Sequence, residues 1–299
     1  AEAFAPELLH VLDKDQAQQR AGIQLEQGGL FFPEGGWVHP PALCQWQTAH
    51  PMISVLPHHH AVELRHVDNQ WQALDGNRLL ASARVVVLAG AADSKHFPAS
   101  SERPLKRIRG QITRLAQTPA SEALATVVCA EGYVAPARLG EHTLGASFDF
   151  NSDDLTPTAA EHAGNLEMLR DISEDLLVRL GADHLDPEGL EGRAAFRCTS
   201  PDYLPIVGPL ADLALFNQTY AVLSKDARQV PDTPCPWLPG LYINSGHGSR
   251  GLITAPLCGE LVAAWIDAEP LPLPASVAEA CHPNRFALRA LIRAKSTAS

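Results

Sequence analysis

Long apolar runs are missing from this 299-residue chain. The longest plain one, residues 85–92, falls far short of the roughly 20 residues that a membrane-crossing helix needs. The first ten residues, AEAFAPELLH, lack a basic start, a long apolar stretch and a cleavage box. No signal peptide is expected, and the cytoplasm is the expected location. Charge is sparse, at 19%, and leans acidic: 23 Lys and Arg against 34 Asp and Glu give a net charge of −11. That balance excludes a basic nucleic-acid coat and leaves room only for local basic patches. Cysteine is thin and scattered, at positions 44, 129, 198, 235, 258 and 281, with no C-x-x-C pair. Such cysteines read as buried free thiols of a reducing compartment, and no metal site is expected. His58, His59 and His60 are consecutive, so on a strand they would point to alternating faces, and an exposed turn is the expectation. The 21 Gly and 24 Pro follow no period, which removes collagen and solenoid folds.

What is present is ordinary globular material. Hydrophobic residues make up 45%, enough for a core, and the length points to about two domains. Residues 6–22 are helix-like and end at Gly22, and residues 28–41 form a loop dense in Gly, Pro and aromatics. A short helix is expected over 42–50. Strands are expected at MISVL, AVELRHV, WQAL and RVVVLAG between residues 52 and 90. The last of these is a continuous β-branched run, which suits a strand buried on both faces of a parallel sheet. It ends in small residues, Ala89 and Gly90, at the edge where open α/β sheets bind ligands.

From residue 100 the character changes. Residues 108–115, 124–130, 133–135 and 143–150 read as a β-meander, followed by a helix over 157–180 capped by Thr156. Its apolar stripe is Leu166, Leu169, Ile172, Leu176 and Leu180, and Gly181 stops it. Residues 193–199 return as a strand. Residues 240–268 are again strand then helix, and a last helix is expected near 284–295. The pattern predicts α/β plus α+β architecture, with an α+β domain inserted into an α/β one.

Between that late strand and helix, residues 246–251 spell G-x-G-x-x-G. Backbone N–H groups at such a helix start face an anion or an electron-rich ligand. The acidic residue that completes a dinucleotide fingerprint would have to end a second strand about 20 residues on. The stretch there, DAEPLP, cannot be a central strand. Arg197 stands between Phe196 and Cys198 on an otherwise core-like strand. It calls for a partner, either a structural carboxylate or a substrate carboxylate held by two hydrogen bonds. Two basic patches stand out: Lys106, Arg107 and Arg109, and the one-faced stripe Arg285, Arg289 and Arg293. The stripe is a candidate phosphate contact.

These residues resemble a known family. LYINSGHGSRGLITAPL from Leu241, Arg109-Gly110-Gln111, Tyr133 in GYVAP, and RCTSPDYLPIVG from Arg197 are similar to segments of the D-amino-acid oxidase/glycine oxidase superfamily. GGLFFPEGGWVHP, PLKRIRGQ and the ending with HPNRF resemble one branch more closely, the oxidoreductase domain of bacterial bifunctional enzymes that modify the tRNA wobble uridine. HPNRF is the most specific of these, and the likeness covers essentially the whole chain. The family's oxidase domain opens with a βαβ unit that carries the glycine fingerprint for the FAD diphosphate, and nothing of that kind precedes Gly28. The fold implied is an incomplete FAD-binding Rossmann-like domain, residues 1–99 and 236–299, with an inserted antiparallel-sheet substrate domain, residues 100–235.

The resemblance implies FAD as cofactor, tRNA as substrate, and a methyltransferase domain of the same bifunctional protein as partner. It implies oxidative removal of the carboxymethyl group from 5-carboxymethylaminomethyl-2-thiouridine, giving the aminomethyl product and glyoxylate. By motif, Arg197 grips the carboxylate, Tyr133 is its aromatic neighbour, and Arg250 lies between flavin and substrate. Gly246, His247, Gly248, Ser249, Gly251 and Leu252 lie against the flavin ring, and Ala89 and Gly90 pass close to it. Arg285, Arg289 and Arg293 are the tRNA candidates. Two alternatives stay open: a glycine- or sarcosine-type oxidase, and a non-catalytic remnant that binds no FAD.

Overall fold

The computed structural model describes residues 4–229 and 231–294. Along the chain run β1 (His10–Leu12), α1 (Lys14–Ala21), β2 (Gly29–Phe31), α2 (Pro40–Thr48), β3 (Glu63–Val67), β4 (Gln70–Asp75), β5 (Arg78–Ala83) and β6 (Val86–Leu88). Then come β7 (Lys106–Ala116), β8 (Val128–Cys129), β9 (Tyr133–Val134), β10 (Glu141–Gly145), α3 (Ala159–Ile172), α4 (Glu174–Arg179) and β11 (Glu191–Thr199). The chain closes with β12 (Ile206–Ala211), α5 (Leu213–Thr219), β13 (Trp237–Ser245), α6 (Gly251–Asp267), α7 (Ala275–Cys281) and α8 (Arg285–Arg293). Position 295, the expected end of the last helix, lies outside the described residues.

Two compact units divide the chain: Ala1–His50 with Ile108–Phe196, and Pro51–Arg107 with Arg197–Ser299. Compactness therefore groups the first fifty residues with the inserted sheet rather than with residues 51–99. The physical link is one apolar cluster in which Ala21 and Ile23 pack with Leu115, Leu144 and Leu169.

The first unit is built on the sheet β11-β7-β10-β9-β8; the expected four-strand meander is realised only over β8, β9 and β10, because β7 pairs with β10 instead of with β8. The expected single helix is two, α3 and α4. Ser173 ends the first and caps the second by accepting the Leu176 N–H at 3.0 Å. The N-cap is Thr158, not Thr156. All five stripe residues are buried, as their spacing requires.

Arg109 is not part of a surface patch. It is 3% exposed and ion-paired with Glu161, and it donates from Nη2 to Thr156 O at 2.7 Å. Gln111 grips the Thr158 backbone from both sides, donating to its carbonyl at 2.9 Å and accepting its N–H at 2.8 Å. The Arg-Gly-Gln segment thus staples residues 154–158 and the start of α3 to β7.

The second unit holds the sheet β12-β13-β6 and the antiparallel meander β3-β4-β5. Alternation along β13 puts Leu241 and Ile243 on one face, in a core with Ile206 and Leu105. On the other face Val207 and Tyr242 pack with Leu261 and Val262 of α6. β6 runs parallel to β13, but it lies at the sheet edge, with Val85 and Val87 37% and 39% exposed. The expectation of burial on both faces fails: Val86 and Leu88 face the core, while Val87 lies on the other, uncovered face. MISVL is not a strand: it lies between two prolines, forms no ladder, and exposes Met52 and Val55. β5 was not foreseen. Its Ala- and Ser-rich sequence has weak strand preference, and pairing with β4 holds it, including Ser82 Oγ donating to Gln70 at 2.6 Å. All six cysteines are free, but Cys44 and Cys129 are exposed rather than buried. Among the described residues no helix is long and apolar enough to cross a membrane.

Replacing Glu161 with Ala should strand the buried Arg109 guanidinium and cost about 3–5 kcal/mol in denaturant unfolding. Glu167→Ala, which breaks the exposed pair with Arg170, should cost at most about 1 kcal/mol. Equal costs would refute the staple.

Candidate active site

The glycine turn sits where β13 ends and α6 begins. Gly246 and Gly248 adopt φ +76° and +59°, a left-handed backbone that other residues take only with strain. No side chain caps the N-terminus of the 17-residue α6; the Ile253 N–H there donates to Arg250 O at 3.0 Å. The Gly248 N–H donates to Cys198 O at 2.6 Å, and Thr199 bridges His247 as an isolated antiparallel pair. The end of β11 is therefore tied directly to the turn. Ser245 completes the corner, donating to Ala91 O at 3.1 Å beside the Cys198 thiol at 3.9 Å. That bond draws the backbone just beyond Ala89 and Gly90 onto the end of β13.

Strand alternation then places Arg197. Cys198 points into the core with Ser245. Arg197 and Thr199 share the opposite face. On that face Thr199 Oγ1 would lie 3.4 Å from a β-carbon at Gly248. The half-buried Arg197 immediately precedes Cys198, whose carbonyl the turn grips.

His247 is held at both ring nitrogens, by Thr254 Oγ1 at 2.9 Å and Asn244 Oδ1 at 3.0 Å. Burial pushes its pKa below the usual imidazole value. It braces the turn from the strand on one side and the helix on the other. Ser249 and Arg250 are exposed at the helix start, and Leu252 is exposed in the first turn of α6. Tyr133 is half-buried on β9 in the first unit, where it pairs with Gly145 and Cys129. Thr199, Cys198 and Ser245 were not singled out from sequence, although the polar run that begins at Thr199 was visible beside Arg197.

The basic stripe on α8 is taken apart by the structure. Arg285 is 6% exposed and pairs with Asp202 through both Nε, at 3.0 Å, and Nη2, at 2.8 Å. Its donors are spent inside the unit, so it is not a surface contact. Arg289 reaches the same carboxylate at 2.6 Å, and both guanidinium groups lie over the Phe286 ring. Hydrogen bonds from Arg285 hold the Asp202 carboxyl well below the usual range. Arg293 is exposed.

The start of α6, two left-handed glycines and the backbone just beyond Gly90 meet at this corner, and the positive end of a helix suits an electron-rich group. The FAD dependent oxidoreductase family model matches residues 1–265, so the chain belongs to that family and FAD is its cofactor. It is 77% identical over 296 residues to the Pseudomonas fluorescens Pf-5 tRNA 5-methylaminomethyl-2-thiouridine biosynthesis bifunctional protein MnmC, covering 99% of this chain and 45% of that protein. The Pseudomonas entomophila protein of the same name is 72% identical, with the same coverage. The chain thus spans a little under half the length of these relatives. Among solved structures, iminodiacetate oxidase from Chelativorans sp. BNC1 matches with TM-score 0.68 at 22% identity, over 93% of this chain and 68% of that one. Glycine oxidase from Geobacillus kaustophilus matches with TM-score 0.67 at 19% identity, over 94% and 68%. These two likenesses show a shared fold.

Asp202→Ala should destabilise the protein by about 3–5 kcal/mol, because it leaves Arg285 buried without a counter-charge. A loss below about 1 kcal/mol would show that the pair is dispensable. His282 makes a pH prediction. Burial, then Arg103 and Arg285, push its pKa from 6.5 down to about 4. The unfolded chain takes up that proton first, so stability should fall as pH drops from 6.5 towards 4. His282→Gln should reduce the slope of stability against pH down to about pH 5. An unchanged slope would show that His282 is not held neutral.

Proposed function

We propose that this chain is the oxidase part of a bifunctional tRNA-modifying enzyme. It would remove the carboxymethyl group from 5-carboxymethylaminomethyl-2-thiouridine at the wobble position, giving the 5-aminomethyl product and glyoxylate. The observation that carries the reading is the attachment of Cys198 and Thr199, the two residues after Arg197, to the glycine turn. The high identity to proteins named for this modification supports it.

The group to be removed is an N-substituted glycine, with a carboxylate one carbon from the amine. A guanidinium beside the turn would hold that carboxylate by two parallel hydrogen bonds and set the N–CH2 carbon over the ring. Tyr133 is the proposed aromatic neighbour of the carboxylate, and Arg250 the polar contact between substrate and flavin. Residues 246–252, with Ala89 and Gly90, would hold the ring. FAD, when bound, supplies a two-electron acceptor for the hydride of the N–CH2 carbon. The imine left on the substrate hydrolyses to glyoxylate and a primary amine. The uncapped N-terminus of α6 would favour negative charge at the ring, and the doubly held His247 would keep the turn's shape without moving a proton.

In this reading β12, β13 and β6 are part of a larger FAD-binding sheet, whose βαβ fingerprint unit is not among these 299 residues. Relatives more than twice as long are consistent with that, and with a methyltransferase domain as partner in the intact protein. Six free thiols fit a cytoplasmic setting. Of the three arginines on α8, Arg293, with Arg289 beside it, is the remaining candidate for tRNA phosphates.

In the intact enzyme, Arg197→Leu should lower kcat/KM on carboxymethylated tRNA by roughly a hundredfold or more, about 3 kcal/mol, while flavin stays bound. Unchanged turnover would sink the assignment. Parallel assays with free glycine and sarcosine separate the amino-acid oxidase reading. A protein that binds no flavin at all would favour the non-catalytic one.

A further inference from the structure

Two open sheet edges of the first unit line the same groove. β8 ends the sheet β11-β7-β10-β9-β8: it pairs with β9 on one side, and among the described residues no strand pairs its other side. β2 lies in a two-stranded sheet and pairs only with β1. A groove of about 190 Å³ is lined by residues 28–31, which include β2, and residues 126–130, which include β8. Its floor is helical and apolar. Ala17 and Ala21 of α1, one turn apart, and Ile172 of α3 form it, and all three are buried. The two alanines leave depth for the side chains of a strand laid above them.

Both walls are fixed to α1. Arg20 lies over the Phe31 ring of β2, 5.1 Å from its centroid. On the other side the Ala125 N–H donates to Ala21 O at 2.9 Å, which pins the residues just ahead of β8. The groove is therefore built into the unit.

The arrangement is that of a sheet with one strand left out. A two-stranded sheet of such short strands has little stability of its own. Its paired residues Val11 and Leu30 are 80% and 62% exposed. Free edges are ordinarily paired, covered, or blunted by charge or proline. Neither wall carries such a device: the two segments read GGLF and TVVCA. A second copy of this chain, pairing edge to edge, would satisfy one wall and leave the other open. Relatives more than twice as long hold further chain that can supply a strand to both.

We infer that the groove between β2 and β8 receives one extended strand from the part of the larger protein outside these 299 residues. That strand joins the β1–β2 hairpin and the five-stranded sheet into one, with its alternate apolar side chains on Ala17, Ala21 and Ile172. The inference rests on the reading of this chain as one part of a bifunctional enzyme.

The test is amide hydrogen exchange, read residue by residue in this chain and in the intact longer protein. Only every second N–H of a strand points to a given edge. In the isolated chain the amides that point into the groove from residues 28–31 and 126–130 should exchange freely. In the intact protein alternate amides along both segments should slow by about tenfold or more. Unchanged exchange would overturn the inference. So would uniform slowing along both segments, the mark of a domain lying over the groove, or slowing already present in an isolated chain of dimer mass, the mark of a second copy. Flavin absorbance of the same intact sample tests the oxidase reading separately: flavin bound with these amides unaltered would sink the strand and leave that reading standing.

Discussion

One backbone hydrogen bond sets the position of everything else at the candidate site: the Gly248 N–H to Cys198 O, at 2.6 Å. It joins the end of β11 to a turn that two glycines take through left-handed backbone. The Thr199–His247 bridge repeats the tie one residue on. Because strand side chains alternate, fixing Cys198 in the core also puts Arg197 on the opposite face of β11.

The rest of the second unit holds this corner still. β13 is packed on both faces, by the core around Leu241 and Ile243 and by α6 through Val262. His247 is braced from Asn244 on the strand and Thr254 on the helix, so strand, turn and helix move as one piece. The C-terminal HPNRF segment plays the same part at Arg103 and Arg285. In the first unit, the Arg109 and Gln111 staple holds residues 154–158 and the start of α3 to β7. Buried guanidinium groups recur as organisers.

Periodicity made much of this readable in advance. The α3 stripe, the β8–β9–β10 part of the meander, the β13–turn–α6 succession and Arg197 on its strand all follow from local patterns. What local patterns could not show was which charges face inward. Arg285, Arg289 and Arg293 look like one solvated face, and only Asp202, over eighty residues away, converts Arg285 into a buried pair. Ser173 splits a helix that looks continuous because its hydroxyl caps α4 while donating to Gln24 O at 2.7 Å, a partner far off in sequence. β5 was invisible because β4 supplies what its own residues lack. The exposure of one face of β6 depends on what packs over the sheet there, which its apolar sequence does not encode.

The central claim is that Arg197 and the glycine turn form one site for a carboxylate beside a flavin ring. The most direct measurement is titration of the flavin-loaded enzyme with an unreactive carboxylate analogue such as methoxyacetate, following the flavin absorbance. The account predicts a saturable spectral change in the wild type that vanishes in Arg197→Leu. The same change, at the same concentrations, in the variant would contradict it.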